Sequence, residues 1–314
     1  MKRYFKLLLL LIFIGLSLLS CKKTKTTSTK PKDPNPFFPI VMHDKWGYIN
    51  KMGKIIIIPQ FEDAGPFSEG LARVEVDGNY GFIDKMGNIV INPQFDDAGS
   101  FSEGLAWVEV DGNYGFINKT GKVVIDPQFE DAGSFSEDLA CVEIDGNYSF
   151  IDKTGKYFIK PNFDKIWSFS DGMAKVKIGD KYGYIDKTGK NVIYPQFDDA
   201  GSFSEGLAYV RIGDIFTGKY GYIDKNGNIV ITPQFDLAGH FSDGMANANI
   251  GGLPNIYGQI TSGKWGYINK TGKFIITQQF EWAEPFSGGL ARVGYSNKYG
   301  YIDKTGKYIW KPTK

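Results

Sequence analysis

Eight aromatic residues, Trp46, Tyr80, Tyr114, Tyr148, Tyr182, Tyr220, Trp265 and Tyr299, head nearly the same phrase at intervals of 34, 34, 34, 34, 38, 45 and 34 residues. The copies read "YGFIDKMGNIVINPQF" from Tyr80 and "YGYIDKNGNIVITPQF" from Tyr220. A catalytic centre is usually built once. A phrase repeated through a chain marks a supersecondary unit that needs copies of itself to bury its apolar surface.

Each unit is legible as strands and turns. "YGFID" and "NIVI" are short β-branched or aromatic segments joined by Asp-Lys-Met-Gly, which suits a type I turn with a G1 bulge. Upstream, "LARVEV" alternates Ala72, Val74 and Val76 with Arg73 and Glu75, the pattern of a half-buried strand with one wet face. Asp77-Gly78-Asn79 is the hairpin turn that joins it to the next segment. The module is a three-stranded antiparallel meander, and eight fit the chain, the first using "FFPIVMHD" (37–44). Linkers of the type "PQFDDAGSFSEG" join them. Their Pro is expected to end a strand, and their two Phe residues to plug the gap between meanders.

The aromatic-Gly pair, the Gly seven residues after the aromatic and the two linker Phe residues together resemble the WG-repeat family of bacterial proteins. Trp46-Gly47 and Trp265-Gly266 keep the Trp-Gly itself, most copies open with Tyr, and Ser149 replaces the glycine once. The resemblance covers about residues 45–314. It implies binding or scaffolding, and it brings no common catalytic activity. The expected fold is all-β, a tandem array of eight three-stranded meanders. An open array is preferred, because each terminal meander is complete without borrowing a strand; a closed propeller-like ring is the alternative.

The N-terminus has a different character. Met1–Lys6 is basic and Leu7–Leu19 is a 13-residue apolar run, short for a membrane span and suited to a signal peptide. Leu18-Leu19-Ser20-Cys21 resembles the bacterial lipobox. Residues 1–20 are therefore read as a lipoprotein signal peptide, and Cys21 as the lipidated mature N-terminus carrying fatty-acyl chains such as palmitate. A multi-chain anchor of this kind is stable. Residues 21–36 form a Lys/Thr/Pro tether and residues 37–314 the repeat domain. Lys22 after the cysteine favours the outer membrane of a bacterial cell envelope. Residues 1–35 hold eight Lys or Arg and one acid, which leaves 28 bases against 34 acids in the remainder. That acidic body speaks against nucleic acid as a partner.

The residues point to no catalytic site, metal or cofactor. Cys141 is the one thiol besides Cys21, and His43 and His240 lack zinc-ligand spacing. Asp-Lys-Asn-Gly-Asn at 224–228 has "IVI" where a calcium loop needs ligands. The paired acids of "FEDAG" and "FDDAG" recur, unlike the single matched pair of a glycosidase, and are read as a solvated linker face. Cys141 and His240 are read as variation at exposed positions.

Two features are candidates for binding. One column, holding Arg73, Trp107, Tyr209 and Arg292 as well as Cys141, Lys175 and Asn247, varies while its neighbours barely change. It reads as plain exposed surface or as a contact stripe of hot-spot residues. The second is a pair of lengthened hairpin turns, "GDIFTGK" and "GGLPNIYGQITSGK", whose apolar tips are Phe216, Leu253, Ile256 and Tyr257. Equivalent turns share one edge of an array, and insertions gathered on one edge mark a binding face. The expected protein is a non-catalytic, lipid-anchored scaffold for an envelope protein. The alternative is a cell-wall or glycan-binding module, and a weaker one is an enzyme on a propeller-like fold.

Overall fold

The computed structural model describes residues 33, 35–159, 163–255, 262–295 and 298–311. Cys21, the signal peptide, most of the tether, Ile256 and Tyr257 lie outside them. No α-helix occurs among the described residues, and the strands fall into eight separate antiparallel sheets. We number these sheets as blades 1 to 8 in chain order.

Blade 3 shows the pattern. Its second, third and outer strands are Leu105–Val110, Asn113–Asn118 and Val123–Phe129, the meander expected from the sequence. A fourth strand, Asp97–Ala98, comes from the linker and pairs with Val108 and Glu109. The blades are thus four-stranded where three were expected. The exceptions are blade 1, with three strands over 37–61, and blade 2, whose fourth strand is reduced to a bridge between Ala64 and Val74. The linker proline does not end the outer strand either. Ile89–Phe95 runs through Pro93, and the register shifts between Phe82↔Ile91 and Tyr80↔Phe95. Proline is tolerated there because the strand is an edge and bulges away from the ladder.

That bulge explains the glycine after each opening aromatic. A Cβ on Gly81 would lie 2.6 Å from the Ile91 carbonyl oxygen and the Pro93 nitrogen. The outer strand crosses directly over the glycine, so no side chain fits. The unit that carries Ser149 is the one whose outer strand is described only over Tyr157–Ile159.

Both faces of a blade are apolar. In blade 3, Ala106, Val108 and Ile117 pack against Phe82, Ile91 and Phe95 of blade 2. Leu105, Phe116, Ile125 and Phe129 pack against Ala132, Ala140, Val142 and Ile151 of blade 4. The second linker Phe fills each gap as expected: Phe101, Phe135 and Phe203 are almost wholly buried. Burying one such ring contributes roughly 1.5–3 kcal/mol.

A stack with two apolar faces per unit leaves a bare face at each end unless the ends meet. Here they meet. Phe38, Ile40 and Ile49 of blade 1 share a core with Leu290 and Tyr301 of blade 8. The Tyr301 hydroxyl donates to the Pro39 carbonyl at 2.8 Å, and the Val41 amide donates to the Tyr299 hydroxyl. The open array is therefore corrected to its alternative, a closed ring: an eight-bladed β-propeller. The units associate face to face, so their hydrogen-bonded ladders never merge into one long sheet.

Register assigns two rims to the ring. The hairpins between second and third strands lie on one rim, which we call the loop rim. The Ser-Glu-Gly turns and the Asp-Lys-x-Gly turns lie on the other, which we call the clasp rim. On the clasp rim the Glu69 carboxylate accepts from the amides of Glu103 (2.6 Å) and Gly104 (3.0 Å) of the next blade and pairs with Lys119 at 3.1 Å. Burial pushes Glu69 upward, but Lys119 and those amides outweigh it and hold the carboxyl below its usual range. Glu103, Glu137, Asp171, Glu205 and Asp243 likewise reach the next blade's turn amides.

Candidate functional site

The loop rim carries both lengthened turns, on the neighbouring blades 6 and 7, as expected. The shorter one is rigid. Asp214 accepts from the amides of Phe216 (2.7 Å) and Thr217 (2.9 Å), and the Thr217 hydroxyl closes the turn at 2.8 Å. These bonds, led by the Thr217 amide, hold the Asp214 carboxyl below its usual range. They lift Ile215 and Phe216 into solvent. In the longer turn the Leu253 amide donates to the Ser262 hydroxyl at 2.9 Å, and Leu253 is 70% exposed. The last residues of three consecutive second strands, Ile178, Ile212 and Ile250, are also exposed. Exposed apolar residues thus recur along the loop rim of blades 5, 6 and 7.

The linker acids serve this rim and are not a merely solvated face. Gly78 donates to Glu62 at 3.1 Å, Gly146 to Glu130 at 3.0 Å and Gly213 to Asp198 at 2.9 Å. The first acid of each pair caps the next blade's hairpin.

The variable column does not form an outer stripe. Its side chains enter the clefts between blades near the axis, each opposite a linker residue eight positions earlier. The Gly99 amide donates to the Trp107 carbonyl at 2.9 Å, and a Cβ on Gly99 would lie 2.3 Å from the Trp107 indole nitrogen. Gly201 stands in the same relation to the Tyr209 ring. Arg73 reaches Asp63 at 3.3 Å and Asp97 of the next blade at 3.5 Å, with its guanidinium 5.0 Å from the Tyr80 ring centre. Arg292 bonds Glu284 at 3.0 Å and lies 5.1 Å from the Tyr299 ring. So Arg73, Trp107, Tyr209 and Arg292 are half-buried wedges between blades, where plain exposed surface or a contact stripe was expected.

Blade 5 reverses the sizes. Trp167 occupies the glycine position, and the Lys175 ammonium lies 4.0 Å from its ring centre and donates to the Ala200 carbonyl at 2.9 Å. Burial holds Lys175 below the ordinary lysine range. Sequence reading passed over Trp167. Its signal was the single tryptophan in a column otherwise filled by Gly or Glu, with a lysine eight residues on.

Cys141 and His240 are corrected as well. Cys141 is buried, because its strand face turns into the cleft between blades 4 and 5, and its thiol is pushed up to about 12 by burial and the nearby Asp131 and Glu143. His240 packs 5.0 Å from the Tyr209 ring and meets the Ser202 carbonyl at 3.0 Å. Burial pushes its pKa down. The aromatics two residues after each opener are core: Phe82, Phe116, Phe150, Tyr184, Tyr222 and Tyr267 have no exposed surface.

Two hollows remain. A wide funnel of about 440 Å³ lies on the axis, lined by Ser102, Ser136, Ser170, Ser204, Trp167 and His240 among others. Several of its serine hydroxyls are spent on the next blade, as in Ser170 to the Phe203 carbonyl at 2.7 Å and Ser204 to the Phe241 carbonyl at 2.6 Å. A smaller hollow of about 170 Å³ opens between blades 4 and 5. Among the described residues no His, Cys, Asp and Glu cluster could hold a metal ion.

Among solved structures the chain is similar to apo AztD from Citrobacter koseri, at 15% identity over 89% of this chain and 93% of that one, with a TM-score of 0.49. It is also similar to Hsv2 from Kluyveromyces lactis, at 9% identity over 78% and 95%, with a TM-score of 0.48. A third is a quinonprotein alcohol dehydrogenase-like protein from Bacteroides thetaiotaomicron, at 12% identity over 85% and 80%, with a TM-score of 0.46. No curated protein matches the chain. The WG containing repeat matches seven times, at residues 46–80, 80–114, 114–148, 148–182, 182–214, 220–253 and 265–299. With its repeats matched over most of its length, this chain belongs to the WG containing repeat family.

Proposed function

We propose that this WG-repeat propeller is a non-catalytic, lipid-anchored docking platform of a bacterial cell envelope, outer membrane favoured, that binds another protein through the loop rim of blades 5 to 7. The observation that carries the reading is the recurrence of exposed apolar residues, Ile178, Ile212, Phe216, Ile250 and Leu253, on three consecutive blades. Exposed apolar surface rimmed by polar residues is a protein-interaction feature. The placement of the tether's end supports it. Asp33 pairs with Lys85, and Pro36 stands beside Gly288, both on the clasp rim. With residues 33 and 36 on the clasp rim, the loop rim is left clear of them. Glycan binding is less favoured, because the faces of Tyr80, Tyr182 and Tyr299 are already covered by Arg73, Lys175 and Arg292.

The test is capture from envelope extracts by the full chain and by a variant with 250–264 shortened to the Asp-Gly-Asn turn of 77–79. Loss of the loop should lower capture of the bound protein tenfold or more, about 1.4 kcal/mol, with the melting temperature unchanged or raised. Full capture by the folded, shortened protein would remove the loop rim as the site. In parallel, Cys21→Ser should abolish fatty-acid labelling; unchanged labelling would remove the anchor.

A further inference from the structure

The clefts between blades obey a rule of filling. At each, one position of the inner strand and one of the second strand, eight residues apart, share a space. In most, one partner is large: Arg73 over Gly65, Trp107 over Gly99, Tyr209 over Gly201, Trp167 beside Lys175. Between blades 4 and 5 both partners are small, Gly133 and Cys141, and the space is the 170 Å³ hollow. Its wall includes Asp131, Cys141, Glu143, Tyr148, Lys165 and Trp167.

The sister clefts show what such a wall holds. Between blades 2 and 3 the acid equivalent to Asp131 is Asp63 and the ring equivalent to Tyr148 is Tyr80. They receive the Arg73 guanidinium, at 3.3 Å from the carboxylate and 5.0 Å from the ring centre. Between blades 8 and 1 the guanidinium of Arg292 lies 5.1 Å from the Tyr299 ring. Between blades 5 and 6 the Lys175 ammonium lies 5.3 Å from Tyr182. Three clefts of one molecule thus place their own cation on the tyrosine that opens the third strand. The fourth keeps the acid and the tyrosine, and has a cysteine where the cation would be rooted.

We propose that the cleft between blades 4 and 5 binds a guanidinium group supplied from outside the chain, held by Asp131 and Glu143 and stacked on Tyr148. Two carboxylates face one ammonium, Lys165, so the wall favours a cation. Aromatic faces add cation–π attraction, strongest when desolvated. Size agrees: a cavity of about 150 Å³ takes a benzene molecule, so this one takes about seven heavy atoms, a guanidinium and its methylenes. Lys165 at the rim would meet a carboxylate further along the ligand. The mouth lies towards the loop rim, where Asp131 pairs with Glu143 next to the 145–147 hairpin. The site is independent of the exposed apolar residues of blades 5 to 7, and its test is separate.

Calorimetric titration of the purified full chain with L-arginine should show saturable binding with a Kd on the order of 1 mM, about −4.1 kcal/mol. Cys141→Arg roots a guanidinium in the cleft as Arg73 does. It should abolish binding and raise the melting temperature. Asp131→Asn, which alters only the acid, should weaken binding at least tenfold and covers the case in which Cys141→Arg fails to fold. A blocked peptide, acetyl-Gly-Arg-Gly-amide, separates the sources: binding at least as tight as arginine assigns the group to a partner's side chain, and binding of arginine alone assigns it to a free ligand. Absence of saturable binding by both probes to about 20 mM, or arginine binding undiminished by Asp131→Asn, would overturn the proposal.

Discussion

At the scale of single residues, the propeller relies on buried groups that stay neutral. Tyr184, Tyr222 and Tyr267 are fully buried phenols raised far above 10.0 by desolvation. All three still find acceptors in the next blade, the carbonyls of Gly201 at 2.6 Å, Gly239 at 2.8 Å and Glu284 at 2.8 Å. Cys141 is likewise raised from 9.0 to about 12. In the unfolded chain these groups lose their protons first as pH rises. Their contribution is therefore whole below about pH 9 and declines as pH climbs through the raised folded values. Melting temperature should fall steadily above about pH 9. At neutral pH Cys141 should resist an aromatic disulfide reagent until the protein is unfolded, because the thiolate is the reactive form. Prompt labelling of the native protein would contradict the buried, neutral thiol.

The clasp turns show what an element gains from a strained residue. Glu69, Glu103, Glu137 and Glu205 sit at φ of 53°, 57°, 56° and 54°, a left-handed conformation that costs an L residue roughly 1–2 kcal/mol. A glycine would relax it. The carboxylate is kept because it bonds the next blade, each charge-assisted bond being worth about 1.5–3 kcal/mol. At the last blade the column holds Gly288 instead, and a Cβ there would lie 2.8 Å from Pro36. Lys85 of blade 2 is taken instead by Asp33 and the Asn35 carbonyl, just ahead of blade 1. Substitution separates the two terms. Glu137→Ala should lose about 2 kcal/mol, since it keeps the strain and drops the bond. Glu137→Gly should lose about 1 kcal/mol less. Chemical denaturation measures both, and equal losses would mean the turn is unstrained.

These elements also show how far the sequence could be read. Strand order, hairpins and the buried Phe plugs were legible, because "LARVEV", "YGFID" and "NIVI" carry period-2 patterns bounded by turn residues. The inner strand was not. Asp97–Ala98 is two residues long and has no period to detect. Arg73 was assigned to solvent by its alternation with Ala72 and Val74, a rule that holds for a sheet with one wet face. In a blade covered on both sides, alternation separates one cleft from the next and says nothing about water. The same fact hid the wedges Trp107 and Tyr209. The exposed tips Phe216 and Leu253 were readable because an inserted turn has no neighbour to cover it.

At the scale of the molecule, closure follows from having eight two-faced units and, among the described residues, no capping unit. The seam joins blade 8 to blade 1 through side chains, with Phe38 and Tyr301 rings 5.4 Å apart. Each blade keeps its own strands, so no strand is shared across the seam. Small-angle scattering from the folded chain should therefore give a compact body. A rod of roughly 115 Å, as 24 strands in one sheet at ~4.8 Å spacing would span, is not expected. Tyr301→Phe removes one seam bond and should cost about 1 kcal/mol without enlarging the particle. Expansion of that variant would show that the ring depends on this hydroxyl.

That seam also decides how the protein carries mechanical load. A pull on the N-terminal segment enters at Asp33, is taken first by Lys85 of blade 2, and then bears on the side-chain contacts between blades 1 and 8. The ladder between Phe37–Met42 and Lys45–Asn50 lies inside blade 1, and none crosses the seam. Under tension the ring should therefore open first at the seam between blades 8 and 1, while blade 1 stays packed on blade 2. A chain tugged by its leash would behave as a clasp with one defined opening point.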